Sequence, residues 1–249
     1  MFKKIIIVSL IICNSLFAGD IKIAVAANVS YAIDELKKEF NKLYPDIKVK
    51  VTLGGSGKLT AQIKYGAPYQ LFMSANMKYP NSLYKDGVAI TKPIVYAQGS
   101  LAFFSGKKQD FSKGIDIVLS SKIDKIAVAN PKTAPYGKAT IEALKNGKVY
   151  EKSKNKYIYG ESISQTVSYA VTATDLGFIA KSSLYSPKMS MYKKGINWAD
   201  VDPNLYTPIN QGIVILKTAK LNNDVKAFYD FMLSDKAKKI LIKFGYIVP

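Results

Sequence analysis

Histidine and arginine are both missing from this chain of 249 residues, and cysteine occurs once, at Cys13. Each absence removes a class of chemistry. Without histidine there is no Ser-His-Asp triad, and with a single cysteine there is no His/Cys zinc site. Without arginine all 36 basic residues are lysines, so bidentate guanidinium recognition of a carboxylate or phosphate is excluded. An enzyme would have to work with carboxylates, lysines or tyrosines. A hydrolase built on Glu161 and Asp175 is the alternative that can be written, and nothing in their spacing favours it.

Long apolar runs are scarce as well. The longest, Ile5 to Phe17, spans thirteen residues, too few to cross a bilayer. Preceded by Lys3 and Lys4 and followed by Ala18, it reads as a secretory signal peptide over residues 1–18. Cys13 lies inside it, next to Ile12 where a lipoprotein signal would carry a small residue, so no lipid anchor is expected. The mature chain from Gly19 then holds no cysteine, neither a nucleophile nor a disulfide, which suits an oxidising compartment.

What the chain has in excess is positive charge. The formal net charge of +18 becomes +16 from Gly19 onward, because residues 1–18 carry two lysines and no acid. Such a charge attracts anions in general. A polyanion-coating protein, on DNA, an acidic glycan or a membrane surface, is the competing non-transport reading. No run of five lysines and no nucleic-acid motif supports it.

Short β-branched runs alternate with segments of helical period along the chain, which predicts an α/β protein with mainly parallel sheets. The strand Ile21–Ala26 leads to a helix with Ala32, Ile33, Leu36, Phe40 and Leu43 inward, closed by Pro45. The strand Ile47–Leu53 passes through Gly54-Gly55-Ser56-Gly57 into a helix carrying Leu59 and Ile63. Lys125–Ala129 passes through residues 130–137 into the helix Ala139–Lys145, and Tyr157–Tyr159 reaches its helix through Gly160, Glu161 and Ser162. Two extended segments, Ile94–Ser105 and Leu205–Leu216, read as a double crossover between two lobes. An amphipathic stretch, Asp224–Phe244, is expected to pack back on the first lobe.

Four strand-to-helix turns carry small, hydroxyl or amide residues: Ala27 and Asn28, Ser56, Ala134-Pro135-Tyr136, and Ser162-Ile163. The first N–H groups of a helix lack internal partners and sit at the positive end of its dipole, so each turn is a candidate anion contact. An anion that only accepts hydrogen bonds can be satisfied by such neutral donors without a lysine. Each turn also has a plainer role: Asn28 and Ser162 as helix caps, Gly-Ser-Gly as a turn, and Glu161 as an acid in a helix's first turn.

These segments resemble the periplasmic molybdate/tungstate-binding proteins of ABC importers. The resemblance runs over the mature chain, through Val25-Ala26-Ala27-Asn28, Gly55-Ser56-Gly57, Gly66-Ala67-Pro68, Ala129-Asn130-Pro131-Lys132, Ala134-Pro135-Tyr136-Gly137, Ile163-Ser164-Gln165-Thr166, Leu176–Ala180, Pro208-Ile209-Asn210-Gln211 and Phe244-Gly245-Tyr246. It implies a two-lobed periplasmic-binding-protein fold of type II with a double crossover hinge. Residues 19–97 and 206–249 would form lobe I, and residues 98–205 lobe II. It also implies an oxyanion held through Ala27, Asn28, Ser56, Tyr136 and Ile163, by side chains at Asn28 and Ser56 and by main-chain N–H groups at Ala27, Ser56, Tyr136 and Ile163. The metal stays inside its oxyanion, with no protein–metal ligand and no cofactor. One branch of the family has serine at the place of Asn28 and a ligand-touching tyrosine at the place of Ala180. This chain is similar to the other branch, with Ser30 or Tyr136 left to supply a hydroxyl. The expected protein is a periplasmic monomer without enzymatic turnover. It delivers molybdate or tungstate to a membrane permease and its cytoplasmic ATPase and binds no nucleic acid; sulfate or phosphate is the alternative cargo.

Overall fold

The computed structural model describes residues 19–249, so the expected signal peptide and Cys13 lie outside the described residues. In chain order the elements are β1 (Asp20–Ala26), α1 (Ile33–Leu43), β2 (Lys48–Gly54), α2 (Ser56–Lys64), β3 (Leu71–Ser74), α3 (Lys78–Lys85), β4 (Ile94–Gly99) and β5 (Leu101–Phe104). Then follow β6 (Ile126–Ala129), α4 (Pro135–Asn146), α5 (Tyr150–Ser153), β7 (Tyr157–Gly160), α6 (Ile163–Thr172), β8 (Leu176–Ala180), β9 (Trp198–Asp200), β10 (Ile209–Ile215), α7 (Asn223–Met232) and α8 (Asp235–Lys243).

The strands form two five-stranded sheets, one in the order β2-β1-β3-β10-β4 and one in the order β7-β6-β8-β5-β9. Both are mixed. The β/α units supply the parallel pairs β1–β2, β1–β3, β6–β7 and β6–β8, while β10 and β5 run antiparallel to their neighbours. The antiparallel pairs belong to the crossover: β4 becomes β5 with only Ser100 between, and the chain returns from β9 to β10 through residues 201–208.

Alternation along each strand divides the packing between two faces. In the first sheet Ile21, Ile23 and Val25 face α1, α7 and α8, where Leu36, Phe40, Phe228, Met232 and Leu241 close the core. Ala24, Phe72 and Val214 face the other way, onto Leu59 and Ile63 of α2 and Leu83 of α3. The second sheet repeats the plan: Phe103, Ile126, Val128 and Phe178 meet α4, while Ala102, Phe104, Ala127 and Ile179 meet Val167 and Ala170 of α6. A fully buried Leu, Ile or Phe contributes about 1.5–3 kcal/mol. Each sheet therefore has its own core, and the cluster around the second sheet also takes in Ala26, Ala27, Ala75 and Ile209.

Helix starts fall at the predicted turns, with local differences. A short 3₁₀ segment, Ala27–Tyr31, intervenes before α1, so Asn28 caps no helix. Proline at the first position of α4 starts that helix four residues earlier than its apolar period suggests. Ser162 does cap α6: its Oγ accepts the N–H of Gln165 at 3.3 Å, and the Gln165 side chain returns to accept the N–H of Glu161 at 2.7 Å. Among the described residues, no helix is long and apolar enough to cross a membrane.

Candidate functional site

The five residues singled out above, Ala27, Asn28, Ser56, Tyr136 and Ile163, are all buried, none more than 4% exposed. They stand at the C-terminal ends of β1, β2, β6 and β7, where open α/β sheets place their ligands.

Direct contacts tie the four turns together across the cleft. The Ser164 hydroxyl at the start of α6 donates to the carbonyl of Ala27 at 2.8 Å. The N–H of Gly57 donates to the carbonyl of Thr133 at 2.9 Å, joining the α2 turn to the loop before α4. A Cβ on Gly55 would stand 3.1 Å from the carbonyl oxygen of Glu161, so the second turn also touches the fourth. Asn130 N–H donates to Gly160 O at 2.7 Å, linking the third and fourth.

The donors at this junction are neutral. Ser56 begins α2, Tyr136 is the second residue of α4 and Ile163 begins α6. Helix geometry gives their N–H groups no internal acceptor, and among the described residues none accepts from them. Three helix N-termini thus present unpaired donors where the lobes meet, each at the positive end of a helix dipole. Ser56 Oγ accepts the N–H of Ala75 at 3.0 Å, which leaves its own proton free to donate.

Asn28 sits in a buried polar cluster. Its Nδ2 donates to Gln211 Oε1 and to Tyr246 Oη, both at 2.9 Å, and its carbonyl accepts the Tyr246 hydroxyl at 2.9 Å and the Ser182 hydroxyl at 3.1 Å. Its Oδ1 is the one buried side-chain polar atom among the described residues with no partner. Gln211 continues the cluster, with Oε1 accepting from Tyr96 Oη at 2.9 Å and Nε2 donating to Tyr136 Oη at 3.3 Å. Burial, more than any neighbour, pushes the hydroxyls of Tyr96, Tyr136 and Tyr246 well above the ordinary tyrosine pKa, so all three stay protonated. The Tyr136 hydroxyl accepts from Gln211 and keeps its own proton free, so the residue has two free donors, that hydroxyl and its main-chain N–H.

Charged groups stay at the rim. Glu161, with its side chain 77% exposed, pairs with Lys58 at 3.5 Å across a cleft of about 290 Å³ lined also by Thr52, Gly55 and Gln165. Asp175 accepts the N–H groups of Asp124 and Lys125 at 3.0 Å each, which lowers its pKa and fixes the chain entering β6. The two carboxylates are spent on separate tasks, and the hydrolase pairing is not assembled. Position 180, on β8, carries only the buried methyl of Ala180.

Sequence reasoning did not find Gln211, Tyr246, Ser164, Ser182, Tyr96 or Thr133. The first three lie in segments that carry the family resemblance, which was the available sign; their roles depend on partners far away in the chain.

The chain is 35% identical over 236 residues to the molybdate-binding protein ModA of Rhodobacter capsulatus, covering 92% of this chain and 89% of that one. It is 32% identical over 231 residues to the molybdate-binding protein ModA of Azotobacter vinelandii, covering 92% and 90%. The solved structure of the Azotobacter vinelandii periplasmic molybdate-binding protein superposes with a TM-score of 0.84 at 30% identity, covering 92% of this chain and 99% of that chain. Residues 21–247 match the family described as bacterial extracellular solute-binding protein, and the chain belongs to that family.

Proposed function

We propose that this protein binds molybdate, or its near-isostere tungstate, outside the cytoplasm and delivers it to the permease of an ABC importer. The observation that carries this reading is that Ser56, Tyr136 and Ile163, each in the first turn of a helix with its main-chain N–H unpaired, and Asn28 are all buried on turns that touch one another. A tetrahedral dianion accepts from the three N–H groups and the Ser56 hydroxyl as they stand and needs no counter-charge, while the Asn28 amide, with both Nδ2 protons engaged by Gln211 and Tyr246, donates only after it reorients. Each hydrogen bond to a charged acceptor is worth about 1.5–3 kcal/mol net, so four or five reach the range of tight binding.

In this reading Asn28 and Ser56 donate through side chains, and Ala27, Ser56, Tyr136 and Ile163 through main-chain N–H groups. Residues 19–97 with 206–249 move as lobe I against residues 98–205 as lobe II. The protein is a monomer that enters the periplasm by cleavage of residues 1–18 and hands the oxyanion to the permease, whose ATPase lies on the cytoplasmic side. It performs no turnover. The lysine-rich exterior draws anions in, while selection among them rests on the fit of the closed cavity at fixed donor number.

Thermal unfolding of the mature protein with sodium molybdate tests this. A ligand at a thousand times its Kd stabilises the folded state by about 4 kcal/mol, which raises Tm by several degrees. An unchanged Tm at millimolar molybdate and tungstate overturns the reading.

A further inference from the structure

The buried amides of Asn28 and Gln211 face each other, Asn28 Nδ2 donating to Gln211 Oε1 at 2.9 Å. Asn28 Nδ2 is also held by Tyr246 Oη, so its Oδ1 points away from both partners and is left without a donor. That orientation suits a ligand carrying a proton and is wrong for a molybdate dianion, which only accepts hydrogen bonds. Asn28 cannot turn its amide alone, since that would set Oδ1 against Gln211 Oε1, acceptor on acceptor, at the same 2.9 Å.

The same heavy-atom positions support a second hydrogen-bond arrangement if both amides reverse. Asn28 Oδ1 then accepts from Gln211 Nε2 and faces the Tyr246 hydroxyl; Gln211 Oε1, now 3.3 Å from Tyr136 Oη, accepts that hydroxyl's proton. Asn28 Nδ2 is set free on the side where Oδ1 was orphaned. The Tyr96 hydroxyl, a donor to Gln211 in the first arrangement, becomes an acceptor. This second arrangement strands donors unless an anion is present, and charge-assisted hydrogen bonds are about twice as strong as neutral ones, so an anion can select it.

We propose that Gln211 is a positioning residue whose amide turns together with that of Asn28 when the acceptor-only oxyanion enters, so that the pair presents a donor to the ligand. This rests on the reading of Asn28 as an oxyanion contact. Gln211 is suited to the task because it is fully buried, sits at the irregularity in β10 between Gln211 and Gly212, and joins lobe I to the first turn of α4.

Nuclear Overhauser contacts of the Gln211 side-chain N–H protons, assigned through the backbone of the mature wild-type protein, test it with sodium molybdate as the probe. Without ligand those protons are expected against the Tyr136 ring; at saturation they are expected against the Tyr96 ring, with the Asn28 amide signals shifting in the same titration. A Gln211 contact that stays on one tyrosine throughout, while the protein demonstrably binds molybdate, overturns the coupled turn and leaves the function intact. Absence of any binding in calorimetry overturns the function, and the coupled turn with it.

Discussion

Gly57 of lobe I donates its N–H to the carbonyl of Thr133 in lobe II, and a side chain at residue 57 would stand 2.7 Å from the Tyr79 hydroxyl, a side-chain end that can move aside, and 3.0 Å from both the Cα and the carbonyl oxygen of Thr133, which are backbone. The closed cleft thus depends on the absence of a methyl group at one position. Gly57 also lies in the first turn of α2, where alanine is the better helix former.

Gly57→Ala therefore separates folding from closure. Thermal stability without ligand should be unchanged or slightly raised, while molybdate affinity falls about tenfold, mainly through faster dissociation. Stopped-flow release and small-angle scattering read both effects; an unchanged dissociation rate would show that the clasp does not hold the closed state.

Ser56→Ala removes a hydroxyl proposed to donate to the ligand, and binding should weaken by about 1–3 kcal/mol. Sequence alone suggests little effect on folding. The hydroxyl also accepts the N–H of Ala75, so a loss of about 1 kcal/mol in denaturant-measured stability is expected as well. Full affinity in a destabilised variant would assign Ser56 to structure only.

Glu161→Gln tests whether the rim carboxylate matters. Its pairing with Lys58 is solvent-exposed, so molybdate affinity should stay within about twofold in moderate salt. A large gain in affinity would place the charge much nearer the bound anion than the rim.

Alkaline pH should destabilise the fold. Burial raises Tyr31 and Tyr157 from 10.0 to about 12 and lifts Tyr96, Tyr136 and Tyr246 as well. The unfolded chain loses these protons near its ordinary value of about 10 while the folded one keeps them, so stability is intact below about pH 10 and falls as pH rises toward about 12. Molybdate affinity, resting on groups that do not titrate near neutrality, should be flat between about pH 6 and pH 9. Unfolding curves across the alkaline range and calorimetry across the neutral one check the two halves separately.

Most of the scaffold was legible because it is local. The period of Leu36 and Phe40, the Pro45 stop and the Ser162 cap each act within a few residues, and the turns that follow the strands announce where donors gather. The cluster behind Asn28 was not legible, because its hydrogen bonds join residues 183 and 218 positions apart along the chain. Nothing near Tyr246 marks it as a partner of Asn28, and nothing near Tyr136 shows that its hydroxyl accepts from Gln211. The mixed character of the sheets was hidden for a related reason, since strand direction at β5 and β10 is decided by where the chain crosses between lobes.

Isothermal titration of the mature protein with molybdate, tungstate, sulfate and phosphate, at low and moderate salt, tests the central claim most directly. One-to-one binding of molybdate and tungstate that is tight and nearly insensitive to salt, with sulfate and phosphate much weaker, is the expected result, because neutral donors in a closed cleft are little screened. No heat from molybdate or tungstate, or affinity for all four that collapses as salt rises, would contradict it and turn attention to the lysine-covered surface.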